Sequence, residues 1–336
     1  MGRQPDRKFF GRIWPNGNFS IGTGPVGQEA LELSDGDEVN LAAMPDGASL
    51  REAVGRLTLS NALNSHSEAV PPVQRGLKGI TGLGQQMLRS GCYLMERDYG
   101  NSDLCFATLT VPNLPKGARF LLAQNWSELI RQFLQWVSRK LAAAGRPTKV
   151  CGCSEIQSSR LERSGEGYLH LHALWPSHSN AAARRWVVEW EELRDWWERA
   201  LARFSCCELP YHPRVETAPV KKSAERYMGK YLSKGSGECL DAFIEDLGEC
   251  SVPPAWWFMT ADLRHQVKAE MAHGPNTGTL LDAVIQSALE DGLEDVFEWI
   301  RPVMVTFTDI PVHIGWCGRL KPAHRDDLLA MLAPLH

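Results

Sequence analysis

From Leu104 to Leu232, short runs of β-branched and aromatic residues alternate with long amphipathic stretches. That alternation constrains the fold more than any other feature of the chain. LCFATLTVP, Leu104 to Pro112, reads as a strand that Pro112 ends. Asn125 then caps a helix in which Trp126, Leu129, Ile130, Phe133, Val137 and Leu141 share one face, and Gly145 stops it. KVCGCSEIQ is a second strand, and SSRLERSGEG, polar and Gly-bearing, reads as a hairpin loop. YLHLHALWP is a third strand, ended by Pro176. A long helix is expected over 183–204, with Trp186, Trp190, Leu193, Trp197, Leu201 and Phe204 on its apolar stripe. Helical spacing makes those tryptophans core residues rather than base-stacking ones. A short strand around Pro213 to Glu216 precedes the helix SAERYMGKYLSKG, closed by Gly235. Strands returning between helices through hairpin-length links predict an α+β sheet with helices packed on it.

The flanks differ from this middle. Residues 1–100 form a partly irregular N-terminal extension, with a helix expected from Gly84 to Arg97. Residues 101–236 form the core, and 237–336 an acidic C-terminal region with a helix from Thr279 to Arg301 and then the strand PVMVTFTD. Net charge is −4, which by itself speaks against a nucleic-acid partner. The distribution reverses that inference. Residues 111–150 carry seven Lys/Arg against one acid, and 210–235 carry six against two. Residues 236–300 carry two against thirteen. A basic middle between acidic flanks permits a nucleic-acid surface.

Nine cysteines, with no export signal at the start of the chain, are expected as reduced thiols in a cytoplasm. Their spacing has no zinc-knuckle gap. No apolar run is long enough for a transmembrane helix, so no membrane partner is expected. No G-x-x-x-x-G-K-[ST] occurs, so an ATP-driven helicase activity would have to come from a host partner.

Two residue sets can carry chemistry. His170 and His172, at i and i+2 in a strand, project from one face and can reach one point. Glu155 and Gln157 share parity on the preceding strand, so a carboxylate or amide oxygen can supply a third ligand. Such a set suits Mg²⁺ or Mn²⁺, and imidazole ligation leans toward Mn²⁺. Tyr227 and Tyr231 lie at i and i+4 on one helix face, with Lys230 between them and Lys234 one turn beyond. A phenol is a usable nucleophile, and a nearby cation favours its phenolate. The plainer readings are half-exposed strand histidines and tyrosines packed on the sheet. Taken together, the two sets suggest metal polarisation of a scissile phosphate and in-line attack by a Tyr hydroxyl. The products would be a 5′-phosphotyrosyl link and a free 3′-OH. Segments 111–150 and 210–235, the latter with Lys221, Lys222, Arg226 and Lys234, are expected to hold a single strand.

FATLTVP, then YLHLHALW, then YMGKYLSK resemble the three ordered motifs of the HUH endonucleases. The chain is most similar there to two-tyrosine rolling-circle replication initiators of phages and plasmids. The resemblance covers Leu104 to Lys234 and implies a single-stranded DNA nickase and strand transferase on an antiparallel sheet of RRM-like topology. It implies His170 and His172 as metal ligands, Tyr227 as first nucleophile, Tyr231 as the second tyrosine and Lys230 as the lysine of that helix. Thr108 and Thr110 fall in the first motif, as support for the sheet and the DNA path. The third ligand lies between Glu155 and Gln157, with Glu155 preferred as the harder donor. The implied partners are an origin hairpin in single-stranded DNA and a host helicase. A transposase, a mobilisation relaxase and a non-catalytic DNA-binding module are the alternatives.

Overall fold

The computed structural model describes residues 9–23, 79–180, 185–232, 238–307 and 310–332. In chain order the elements begin with β1 (Phe9–Ile13), β2 (Asn18–Thr23), α1 (Gly82–Tyr99), β3 (Leu104–Thr110), α2 (Lys116–Gln124) and α3 (Trp126–Ala143). Next come β4 (Cys151–Ile156), α4 (Ser158–Ser164), β5 (Leu169–Pro176), β6 (His178–Asn180), β7 (Arg185–Trp186) and α5 (Trp190–Ser205). They continue with β8 (Val215–Pro219), α6 (Ala224–Leu232), α7 (Glu238–Leu247), β9 (Trp257–Met259), α8 (Ala261–Ala269) and β10 (Ala272–Gly274). The last are α9 (Pro275–Asp291), α10 (Leu293–Val296), β11 (Phe297–Phe307), β12 (Ile310–Leu320) and α11 (Pro322–Leu332). The fold is α+β, with two five-stranded antiparallel sheets and helices packed on them.

Contacts divide the chain into two units. The first joins Met1–Ala69, Thr81–Gln86 and Lys268–His336; the second joins Val70–Ile80 and Met87–Val267. This division runs elsewhere than the sequence boundaries at 100/101 and 236/237. The physical reason is strand pairing. A lone β1–β2 hairpin is marginal in water, and its edges are completed by β10 and β12 from the far end of the chain, in the order β10-β1-β2-β12-β11. Ile13, Phe19 and Ile21 of the hairpin pack with Leu281, Ile285, Leu320 and Leu328 in one apolar cluster.

The second unit carries the sheet β8-β3-β5-β4-β9. Because side chains alternate, its two faces differ. Ser154 and Trp175 face α3: the Trp126 indole N–H donates to Ser154 Oγ at 2.7 Å, and Phe133 meets Trp175 edge-on. Cys151, Cys153, His170 and His172 face α1 and α6 instead, where Cys92 and Met95 of α1 touch Cys151 and Met228 of α6 touches Cys153. All nine cysteines are free thiols. Gly152 keeps β4 flat against its neighbours. A Cβ there would lie 2.1 Å from the His172 carbonyl oxygen and 2.4 Å from the Phe258 ring.

Several expected elements change. The polar 158–167 segment is not an open loop; α4 forms there, anchored by buried Leu161 and closed by left-handed Gly165 at φ 67°. The 183–204 helix starts only at Trp190, where Glu191 and Glu192 fall in the first turn and suit the helix dipole. Trp186 is therefore on a strand, and Val187 donates to the Ser177 carbonyl at 2.6 Å. Asn125 occupies the N-cap position of α3, but its side chain donates back to the Leu121 carbonyl. The Thr279–Arg301 helix ends at Asp291, because Gly292 adopts φ 131° and the apolar run from Phe297 pairs as a strand. The strand expected near Pro213 spans Val215–Pro219. Gly235, expected to close the tyrosine helix, lies outside the described residues.

Candidate metal centre

Strand register builds the site. Across the face that α6 covers, Thr108, His172 and Cys153 stand opposite one another on β3, β5 and β4. The adjacent row is Thr110, His170 and Glu155. Glu155, His170 and His172 each bring a ligand atom within 4.8 Å of the others. Glu155 and His172 are buried, and His170 is partly exposed. Two imidazoles and a carboxylate on rigid strands could hold a metal ion. His172 Nε2 and Glu155 Oε2 lie 2.6 Å apart, a short hydrogen bond. Two ligands at about 2.1 Å on one ion stand roughly 3 Å apart, so binding requires that this bond open slightly. The other imidazole nitrogen, Nδ1, is 3.1 Å from Thr108 Oγ1, which orients the ring.

The tyrosine helix α6 lies over this cluster. Tyr231 stacks on His172 with ring centres 3.7 Å apart, and on Phe106 at 5.9 Å. Tyr227 meets Phe106 edge-on at 4.5 Å, and the two tyrosine rings are 6.2 Å apart. Tyr227 is 43% exposed, with the Lys230 ammonium 5.5 Å from its ring centre. Burial pushes the Tyr231 phenol up to about 12; the Tyr227 and Glu155 charges and a hydrogen bond to Tyr227 add to this.

Two features here had no sequence signal. Phe106 wedges against both tyrosines, and its strand position reads simply as core. Glu96 of α1 accepts from Ser223 Oγ at 3.2 Å and from the Ala224 N–H at 3.0 Å, capping the start of α6. The contact spans more than a hundred residues of chain, so no local pattern announces it.

Gln157, the other third-ligand candidate, lies one residue past the end of β4. It sits at the N-cap of α4, its N–H bonded to the Tyr168 carbonyl, and its Oε1 is buried without a hydrogen-bond partner among the described residues. Lys221, Lys222, Arg226 and Lys230 are exposed around α6, with no ion pair among the described residues. Lys234 lies outside the described residues.

In the basic segment 111–150, α3 lies on the other face of the sheet, and six of the seven cations have an acidic partner. Arg119 and Lys116 pair with Asp246, Arg131 with Glu128, Lys140 with Glu192, Arg146 with Asp103 and Lys149 with Asp98. Trp197 and Trp256 are buried core residues, whereas Trp190 is exposed with its indole N–H on the Val215 carbonyl.

Among the described residues, no helix is long and apolar enough to cross a membrane. Comparison with family models, curated proteins and solved structures returns no match.

Proposed function

We propose that the chain is a metal-dependent single-stranded DNA nickase and strand transferase of HUH type, an initiator of rolling-circle replication. One observation carries this reading: two tyrosines on one helix lie over a Glu–His–His cluster, one of them stacked on a candidate ligand. A divalent ion, Mg²⁺ or Mn²⁺, would be held by Glu155, His170 and His172 and would supply Lewis-acid polarisation of a scissile phosphate. Tyr227 is the first nucleophile. Its phenol oxygen forms the bond to phosphorus as the bond to the 3′ oxygen breaks, and the phenol proton leaves as the 3′-OH is released. Tyr231, held as a phenol against His172, is the second tyrosine for strand transfer. Lys221, Lys222 and Arg226 hold the phosphates of the incoming strand. The DNA partner is a single-stranded origin hairpin, and unwinding is left to a host helicase.

The test is incubation of the full chain with labelled single-stranded DNA and Mn²⁺ or Mg²⁺, followed by denaturing electrophoresis. A labelled protein–DNA adduct is expected. Its absence with every strand and either metal overturns the reading. An adduct that survives joint replacement of Tyr227 and Tyr231 by Phe overturns the nucleophile assignment.

A further inference from the structure

The row of the sheet that carries His170 does not end at Thr110. The Thr110 N–H bonds the Arg214 carbonyl at 2.9 Å, and Thr108 pairs with Glu216, which places Arg214 opposite Thr110. Arg214, Thr110, His170 and Glu155 thus form one cross-strand row with side chains on one face. Arg214 lies two strand spacings from His170, about 9–10 Å. Its side chain is 76% exposed and, among the described residues, is paired with solvent-exposed Glu216. An exposed pair of this kind is held weakly and exchanges readily for a phosphate.

An aromatic platform stands at the same end of β3. Tyr211 is 50% exposed, yet its hydroxyl is fixed by the Asn113 N–H at 2.9 Å, three residues beyond Thr110. The ring thus presents surface to solvent. A guanidinium in the row of the cluster and an exposed ring at the same end of β3 are the parts that grip a phosphate and a base of a single strand. Lys221 and Lys222 follow the β8 residues that pair near Leu104, the opposite end of β3, about 20 Å away. Cations thus flank the cluster at both ends of the strand.

We infer that Arg214 and Tyr211 form a nucleotide subsite of this centre. Arg214 contacts the phosphate next to the scissile one and Tyr211 stacks the adjoining base. The inference rests on the single-stranded DNA reading above.

Fluorescence anisotropy of the full chain with labelled single-stranded DNA of mixed sequence, in chelator so that no chemistry occurs, tests it. Tyr211→Ala is expected to weaken binding about 5- to 100-fold, while Tyr211→Phe stays within about twofold. Arg214→Gln is expected to weaken binding and to reduce the slope of log affinity against log salt by about 0.7. Glu216→Gln, which frees Arg214, tightens binding about twofold. Wild-type affinity and salt slope in both Tyr211→Ala and Arg214→Gln overturn the subsite, and if wild type still forms the tyrosyl adduct, the nickase reading stands. Loss of binding in those variants with no adduct from wild type keeps the subsite and overturns the nickase. A wild type that does not bind single strands overturns both.

Discussion

The Tyr231 ring lies nearly parallel to the His172 imidazole, 3.7 Å between centres and 21° between planes. That stack ties the tyrosine helix to the metal-type cluster and separates the two tyrosines by environment. Tyr231 is half-buried and held as a phenol, its titration pushed up to about 12 chiefly by burial. Tyr227 is the exposed one. Tyr227→Phe is therefore expected to lower the first adduct at least about 100-fold, as loss of a nucleophile does. Tyr231→Phe leaves the first adduct and stops the second transfer. A cleavage-and-rejoining assay with two labelled strands separates these outcomes. An ultraviolet titration of wild type minus Tyr231→Phe should show a phenolate step near pH 12.

Glu155 brings a carboxylate oxygen within 4.8 Å of the ligand atoms of His170 and His172. Glu155→Ala is expected to weaken Mn²⁺ binding more than about 10-fold in calorimetric titration, and Gln157→Ala much less. The reverse order would move the ligand to Gln157.

Thr108 acts through His172. Thr108→Val keeps the shape but removes the Oγ1 contact with Nδ1. Mn²⁺ affinity is expected to fall about 10-fold, while Thr108→Ser restores it. Equal affinities in all three proteins would show that the contact orients nothing.

Acid stability should depend on Asp246. Burial pushes its carboxyl up, but the Gly167 N–H and the Arg119 guanidinium outweigh that and hold it below the usual carboxylate range. A depressed folded-state value contributes stability that is present above the unfolded carboxylate value and lost as pH falls through the folded one. Asp246→Asn should therefore flatten the stability profile in that acid range. At neutral pH it leaves buried Arg119 with the 3.2 Å bond to the Gly167 carbonyl and, as its ion pair among the described residues, the 3.7 Å contact to Glu166, at a cost of about 3 kcal/mol in urea unfolding.

Much of the central sheet was legible from local pattern. The β3 and β5 runs, each ended by proline, match the alternation of Leu104 to Pro112 and the run to Pro176. The i, i+2 histidines and i, i+4 tyrosines were legible for the same reason, since each spacing is a property of one element. Less legible were elements whose limits depend on partners. α4 forms where polar composition indicates a loop, because Leu161 finds a buried place. The 183–204 helix loses its first turns because residues 185–187 are drawn into strand pairing and the Ser177 bond.

The amino-acid sequence by itself determined the α+β class, the shared face of His170 and His172, and the shared face of Tyr227 and Tyr231. Those follow from periodicities of 2 and 3.6 residues, which need no knowledge of neighbours. Only the tertiary structure decided that the tyrosine helix covers the histidine face rather than the opposite one. It also decided that Glu96 anchors that helix, that most cations of 111–150 have acidic partners, and that segments from near both ends of the chain share a sheet. Each of these is a contact between segments far apart in the chain, set by burial and strand pairing that local sequence does not encode.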